Sequence, residues 1–83
     1  MIDTAEKLQS VIRLKYRFLK SAAVSFGFAG NKNYQRFRNT MLGASKDYQV
    51  ISALLKKFPD IDTTAIWSID KKILQNAKSY SKN

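Results

Sequence analysis

The chain has no cysteine, no histidine, a single proline (Pro59) and only three glycines among its 83 residues. Without cysteine there is no disulfide framework, and without cysteine or histidine the usual ligands of a zinc site are missing. The same absences remove the commonest general base and the most readily activated nucleophile. The acids that remain fall at expected helix starts and not in a cluster, so neither catalysis nor a metal or cofactor is expected. No apolar run approaches the roughly 18 residues of a membrane span, and the N-terminus has no signal-peptide apolar region. No membrane partner is expected, and the expected location is the cytoplasm of a bacterium or of an infected host cell.

One more absence is confined to part of the chain. Between Lys7 and Lys46 there are nine Lys or Arg residues and no Asp or Glu. All six acids lie outside that stretch: Asp3, Glu6, Asp47, Asp60, Asp62 and Asp70. The formal net charge of +9 is thus the charge of one forty-residue block, because the −2 before it cancels the +2 after it. Surfaces that serve only solubility usually mix both signs. A one-sign field repels itself and is relieved by a polyanion, so nucleic acid is the first candidate partner and an anionic membrane surface the second. A merely basic surface is the plain alternative.

With 45% apolar and 12% aromatic residues, the chain has the composition of a folded domain. One domain is expected over 1–77, followed by a polar tail, 78–83. Sparse punctuation with helical spacing between the breaks predicts an all-α fold. A first helix opens at Asp3-Thr4-Ala5-Glu6, with Asp3 as cap and Leu8, Val11 and Ile12 on one face. A bend at Tyr16-Arg17-Phe18 leads to a second helix that turns Leu19, Ala22, Ala23 and Phe26 inward and stops at Gly27. A third is expected from Asn33 to about Leu42, with Tyr34, Phe37 and Met41 facing the core and Gly43 ending it. Ser45 is expected to cap a fourth, carrying Tyr48, Ile51, Leu54, Leu55 and Phe58, which Pro59 terminates. Asp62 or Thr63 starts a fifth segment with Ile66, Trp67, Ile69, Ile73 and Leu74.

The second and third helices have the spacing of a helix-turn-helix. That unit needs a small residue where the two helices cross and a glycine where the backbone reverses. Ala23 and Gly27 stand four apart, as required. The next apolar pair, Tyr34 and Phe37, falls one residue late, so the turn Ala29-Gly30-Asn31-Lys32 is expected to be one residue longer than standard, with Gly30 less constrained than Gly27. Opposite Tyr34, Phe37 and Met41, the residues Lys32, Gln35, Arg36 and Asn39 follow the spacing of one helical face. Arg pairs with guanine and Gln or Asn with adenine, which suits these residues to reading base edges, whereas Arg17, Lys20, Asn31, Arg38 and Lys46 suit the phosphate backbone. The plain alternative is a solvated polar face.

Over about residues 4–67 these features resemble the lambda-repressor-like (XRE-type) helix-turn-helix regulators of bacteria and their phages. The fourth-helix ending Leu54-Leu55-Lys56-Lys57-Phe58-Pro59-Asp60-Ile61-Asp62 is the most specific part of the match. The family's Trp-Leu-Leu-Thr-Gly continuation is replaced by Ala65-Ile66-Trp67-Ser68-Ile69. The resemblance implies a compact five-helix domain that binds double-stranded DNA as a small, repressor-like transcriptional regulator with its third helix in the major groove. It also implies a frequent homodimer, for which Trp67, Ile69, Ile73 and Leu74 of the C-terminal helix are the candidates; Trp67 reads first as a core anchor with a dimer contact as the alternative, and Ile69, Ile73 and Leu74 either fold back onto the first helix or form a two-fold interface. Two other functions stay open: a phage-encoded structural or protein-interaction factor that reuses the fold, and a non-specific nucleic-acid binder. Tyr16 and Phe18, set among Arg13, Lys15, Arg17 and Lys20, resemble the aromatic and basic interleaving of single-strand binders. Their place where the first two helices meet favours packing instead.

Overall fold

The computed structural model describes residues 1–74. The expected tail, 78–83, and the end of the expected domain, 75–77, lie outside them. The described residues are all-α: α1 (Ala5–Lys15), α2 (Leu19–Ser25), α3 (Asn31–Met41), α4 (Tyr48–Lys57) and α5 (Thr63–Trp67), with helix resuming over 71–74. None of these helices is long and apolar enough to cross a membrane.

Local chemistry sets most of the boundaries. Two helices end in the same motif. At α2 the Gly27 amide donates to the Val24 carbonyl (3.0 Å) and the Phe28 amide to that of Ala23 (2.7 Å). At α3 the Gly43 amide donates to Thr40 (3.0 Å) and the Ala44 amide to Asn39 (2.9 Å). These are the paired bonds of a Schellman ending, which needs a residue with positive φ just past the helix. Gly27 (φ 89°) and Gly43 (φ 83°) supply it.

The N-terminal boundaries correct several expectations. Thr4, not Asp3, caps α1: its Oγ1 accepts from the Lys7 amide at 3.1 Å, while Asp3 forms an ion pair with the Lys7 ammonium at 2.9 Å. Asp47, not Ser45, caps α4 by accepting from the amides of Gln49 and Val50, and the Ser45 hydroxyl lies 3.2 Å from that of Thr40. Asp62 caps α5 as expected, accepting from the Ala65 amide. α3 begins two residues early, at Asn31, so Asn31 and Lys32 form its first turn and do not extend the connection. The expected fifth segment is broken at Ser68, which adopts the left-handed conformation (φ 57°).

α3 is the centre of the packing. It lies against α2 and α4, and α1 packs on both α2 and α3. Phe37 and Met41 are fully buried, with Leu8 and Ile12 of α1, Ala22 and Ala23 of α2, and Val50, Ile51 and Leu54 of α4. The two residues flanking Gly27 clamp α3: Phe26 stacks on Phe37 (5.5 Å between ring centroids, 27° between planes), and Phe28 meets the same ring at 6.1 Å. Phe26 also touches Tyr16 (5.8 Å) and Phe58 (6.3 Å), joining three helix ends in one aromatic cluster. Such pairs add about 0.5–1.5 kcal/mol each beyond their buried area. The angle between α2 and α3 therefore depends on side chains on both sides of one glycine.

The N-terminal residues and the segment after α4 are tied to the same core. Ile2 and Ile61 form an isolated parallel bridge, with the Ile2 amide donating to Asp60 (3.1 Å) and the Asp62 amide to Ile2 (2.7 Å). Trp67 is buried and its Nε1 donates to the Thr40 carbonyl at 2.7 Å. Ile69 and Leu74 are buried as well. Of the four side chains expected to form a dimer surface, Trp67, Ile69 and Leu74 are used inside the domain, and only Ile73 is exposed. Trp67 is thus the core anchor its sequence reading favours, and of the two readings open for Ile69 and Leu74 the chain takes the fold-back one after the break at Ser68; only the dimer-contact reading of these three is corrected.

Candidate nucleic-acid interface

Three of the four residues expected to read bases, Lys32, Gln35 and Asn39, are exposed along α3. From Lys32 to Asn39 is seven residues, about 10 Å along a helix axis, which matches about three base pairs. Exposed Asn31 and Arg38 extend the same helix surface.

Arg36 departs from the expectation. It is half-buried and its guanidinium is engaged on several sides. Nε donates to Asp47 Oδ2 (2.6 Å) and Nη2 to Asp47 Oδ1 (3.1 Å), the two-pronged geometry of a strong Arg–carboxylate pair. Nη2 also donates to Gln49 Oε1 (2.7 Å), Nη1 to Asn33 Oδ1 (3.2 Å), and the group lies 5.6 Å from the Phe28 ring centroid. Arg36 thus ties α3 to the start of α4 and to the α2–α3 connection. In this arrangement it is not free to address a base, and helical spacing alone carries no sign of a partner eleven residues away.

The pair also shapes the charge of the face. Asp47 adjoins the C-terminal end of the basic block, and Arg36 cancels it. Burial, the largest single influence on the Asp47 carboxyl, pushes its pKa up. Hydrogen bonds from Arg36 and from the Val50 and Gln49 amides, with the charge of Arg36, outweigh it and hold the group below the ordinary carboxylate range. A carboxyl with a lowered folded-state pKa stabilises the fold above its unfolded value, near about 3.9, and loses that contribution as pH falls through the folded value. Asp47→Asn keeps a good cap but removes the charge. It should cost about 1 kcal/mol at neutral pH, a figure kept small because the pair is partly exposed. Melting curves collected from neutral pH to below pH 4 should then fall less steeply for the variant than for the parent; parallel curves would show that the pair is not what acid disrupts.

The five residues expected at the phosphate backbone do not form one group. Arg17, Lys20 and Asn31 come together around Tyr34. One cleft there is lined by Lys20, Ser21, Val24, Phe28, Gly30, Asn31 and Tyr34, and it adjoins a second lined by Arg13, Arg17, Phe18 and Leu19 together with Lys20, Ser21 and Tyr34. No acid lines either. Lys46 is exposed beyond the other end of α3, and the α4 amides beside it are occupied by the Asp47 carboxylate. Arg13, Phe18 and Tyr34 belong to this surface although sequence spacing had not assigned them to it. For Arg13 and Phe18 the sequence signal is the interleaving of Tyr16 and Phe18 with Arg13, Lys15, Arg17 and Lys20, although packing is the favoured reading of Phe18; the helical spacing of Tyr34 points to the core. Phe18 is instead 61% exposed.

No protein-family model matches the chain, and no curated protein or solved structure matches it either. The functional reading rests on the geometry of this chain itself.

Proposed function

We propose that this domain binds double-stranded DNA as a small helix-turn-helix regulator of the lambda-repressor-like kind, with α3 in the major groove. The observation that carries the reading is where the acid-free block falls in the fold. It covers α2, the connection and all of α3, and the only acid bonded to this unit, Asp47, is neutralised by Arg36. What remains facing outward is Lys32, Gln35, Arg38 and Asn39 on α3, beside Arg17, Lys20 and Asn31. The Schellman turn at Gly27 and the packing of Ala22 and Ala23 against α3 support the helix-turn-helix reading. Lys32, Gln35 and Asn39 would meet base edges; Arg17, Lys20 and Asn31 would hold phosphates.

Selection of bound sites from a random duplex library tests this directly. A consensus of a few base pairs is expected, and enrichment of no sequence would remove the base-reading claim. Two substitutions separate the roles. Gln35→Ala should cost about 1–3 kcal/mol on the selected site and little elsewhere. Lys20→Ala should weaken binding to every duplex and lower the salt slope by about one. Equal losses on all sequences from both variants would place Gln35 at the backbone.

A further inference from the structure

The cleft beside the α2 start has a property that duplex binding does not use. Phe18 occupies the N-cap position of α2 with extended backbone (φ −127°, ψ 147°), and no side chain caps the helix there. Ser, Thr, Asp or Asn at that position would satisfy an amide. Phenylalanine leaves it open and also places its own ring in water. A phenylalanine at a helix junction is ordinarily drawn toward the core, as Phe26, Phe28 and Phe58 are here.

The surroundings of the ring are aromatic and cationic. Phe18 and Tyr34 line one cleft with Arg13, Arg17, Lys20 and Ser21. The Arg17 guanidinium lies 5.5 Å from the Phe18 centroid and the Lys20 ammonium 6.0 Å from that of Tyr34. Each ring thus has a cation at hand, and no acid is present to compete for it. A ligand that matches this arrangement has a flat π-surface for Phe18 and an anionic group for the cations, repeated along a flexible chain.

We infer that this cleft binds single-stranded nucleic acid, with an unpaired base stacked on Phe18 and the adjoining phosphates held by Arg13, Arg17 and Lys20. A lipid surface would also satisfy the positive charge. It would call for aliphatic side chains around the ring, whereas among the described residues Leu19, half-buried, is the only aliphatic one lining this cleft. The inference shares Lys20 and Arg17 with the duplex reading but stands on a different residue, Phe18.

The test is binding of fluorescent oligothymidylate and oligouridylate of about ten nucleotides, measured in parallel with a duplex and with anionic phospholipid vesicles. Phe18→Ala and Phe18→Leu should each weaken single-strand binding about 5- to 150-fold, the loss expected for one base–aromatic stack. Phe18→Trp should retain it, and duplex affinity should be the same in all four proteins. Because the ring is exposed, the melting temperatures should also agree closely. The leucine variant is decisive, since it keeps apolar surface but has no π-face. Single-strand binding by Phe18→Leu at parental strength would overturn the inference, as would vesicle binding that Phe18→Ala abolishes while single-strand affinity stays unchanged. A protein that binds duplex and no single strand would overturn it too, yet leave the duplex reading standing; single-strand binding through Phe18 without duplex binding would do the reverse.

Discussion

Trp67→Ala should lower the melting temperature by at least about 12 °C. Truncating a buried tryptophan costs about 3–5 kcal/mol, and each kcal/mol moves a domain of this size by about 4–8 °C. Against a total stability of roughly 4–12 kcal/mol for such a chain, that is a large share of what holds it folded. The reason lies in what Trp67 connects. α5 has five residues, too few to persist as an isolated helix, and Trp67 fastens it to the C-terminal end of α3 through the Thr40 carbonyl. Trp67→Phe keeps a buried ring but gives up the indole donor and part of its volume. The Thr40 carbonyl would keep the Gly43 amide as a donor, so the phenylalanine variant should lose less than alanine, about 1–3 kcal/mol. Thermal unfolding of the two variants decides the matter. Equal and small shifts would mean that the indole is not the anchor its burial implies.

Gly30→Ala is expected to cost about 1–3 kcal/mol and to reduce duplex affinity at least about tenfold. Gly30 caps the start of α3 with φ 93° and ψ 158°, a conformation that is essentially reserved for glycine. Among the described residues nothing lies within 4 Å of where a Cβ would sit, so the cost is backbone strain and not a clash. Gly30 is therefore not free of the constraint on Gly27, since both have positive φ (93° and 89°). Gly27, at φ 89° with its Schellman bonds, needs a left-handed residue, and asparagine tolerates that region, so Gly27→Asn should be the milder change. Relief of the strain at residue 30 would displace the first turn of α3, and Asn31, Lys32 and Gln35 would move with it. Stability and duplex affinity should be measured on both variants together. A Gly30→Ala protein with unchanged stability and affinity would show that this connection does not set the position of α3.

The sequence by itself determined the all-α character, the ends of α2, α3 and α4, and the charge distribution. Gly27, Gly43 and Pro59 end helices through their own backbone properties, which act over four residues or fewer. The acid-free block is a count that no fold can alter. Apolar spacing correctly placed Leu8, Ile12, Ala22, Ala23, Phe37, Met41, Ile51 and Leu54 in the core, because burial follows the helical period.

Only the tertiary structure decided which polar and aromatic side chains are available for binding. Arg36 had the spacing of Lys32 and Asn39, yet a carboxylate that lies eleven residues on captures it; proximity across a loop is invisible to periodicity. The same carboxylate took the cap of α4 from Ser45, since two amides and a guanidinium converge on it. Ile69 and Leu74 looked unpartnered until Ser68 reversed the chain and the Thr63 hydroxyl bonded the Ile69 carbonyl at 2.7 Å. Phe18 and Phe26 are equally apolar, and only the packing distinguished the ring that stacks on Phe37 from the one left in water. Local backbone chemistry is encoded residue by residue, whereas availability depends on which distant group arrives first, and that is settled only when the helices pack.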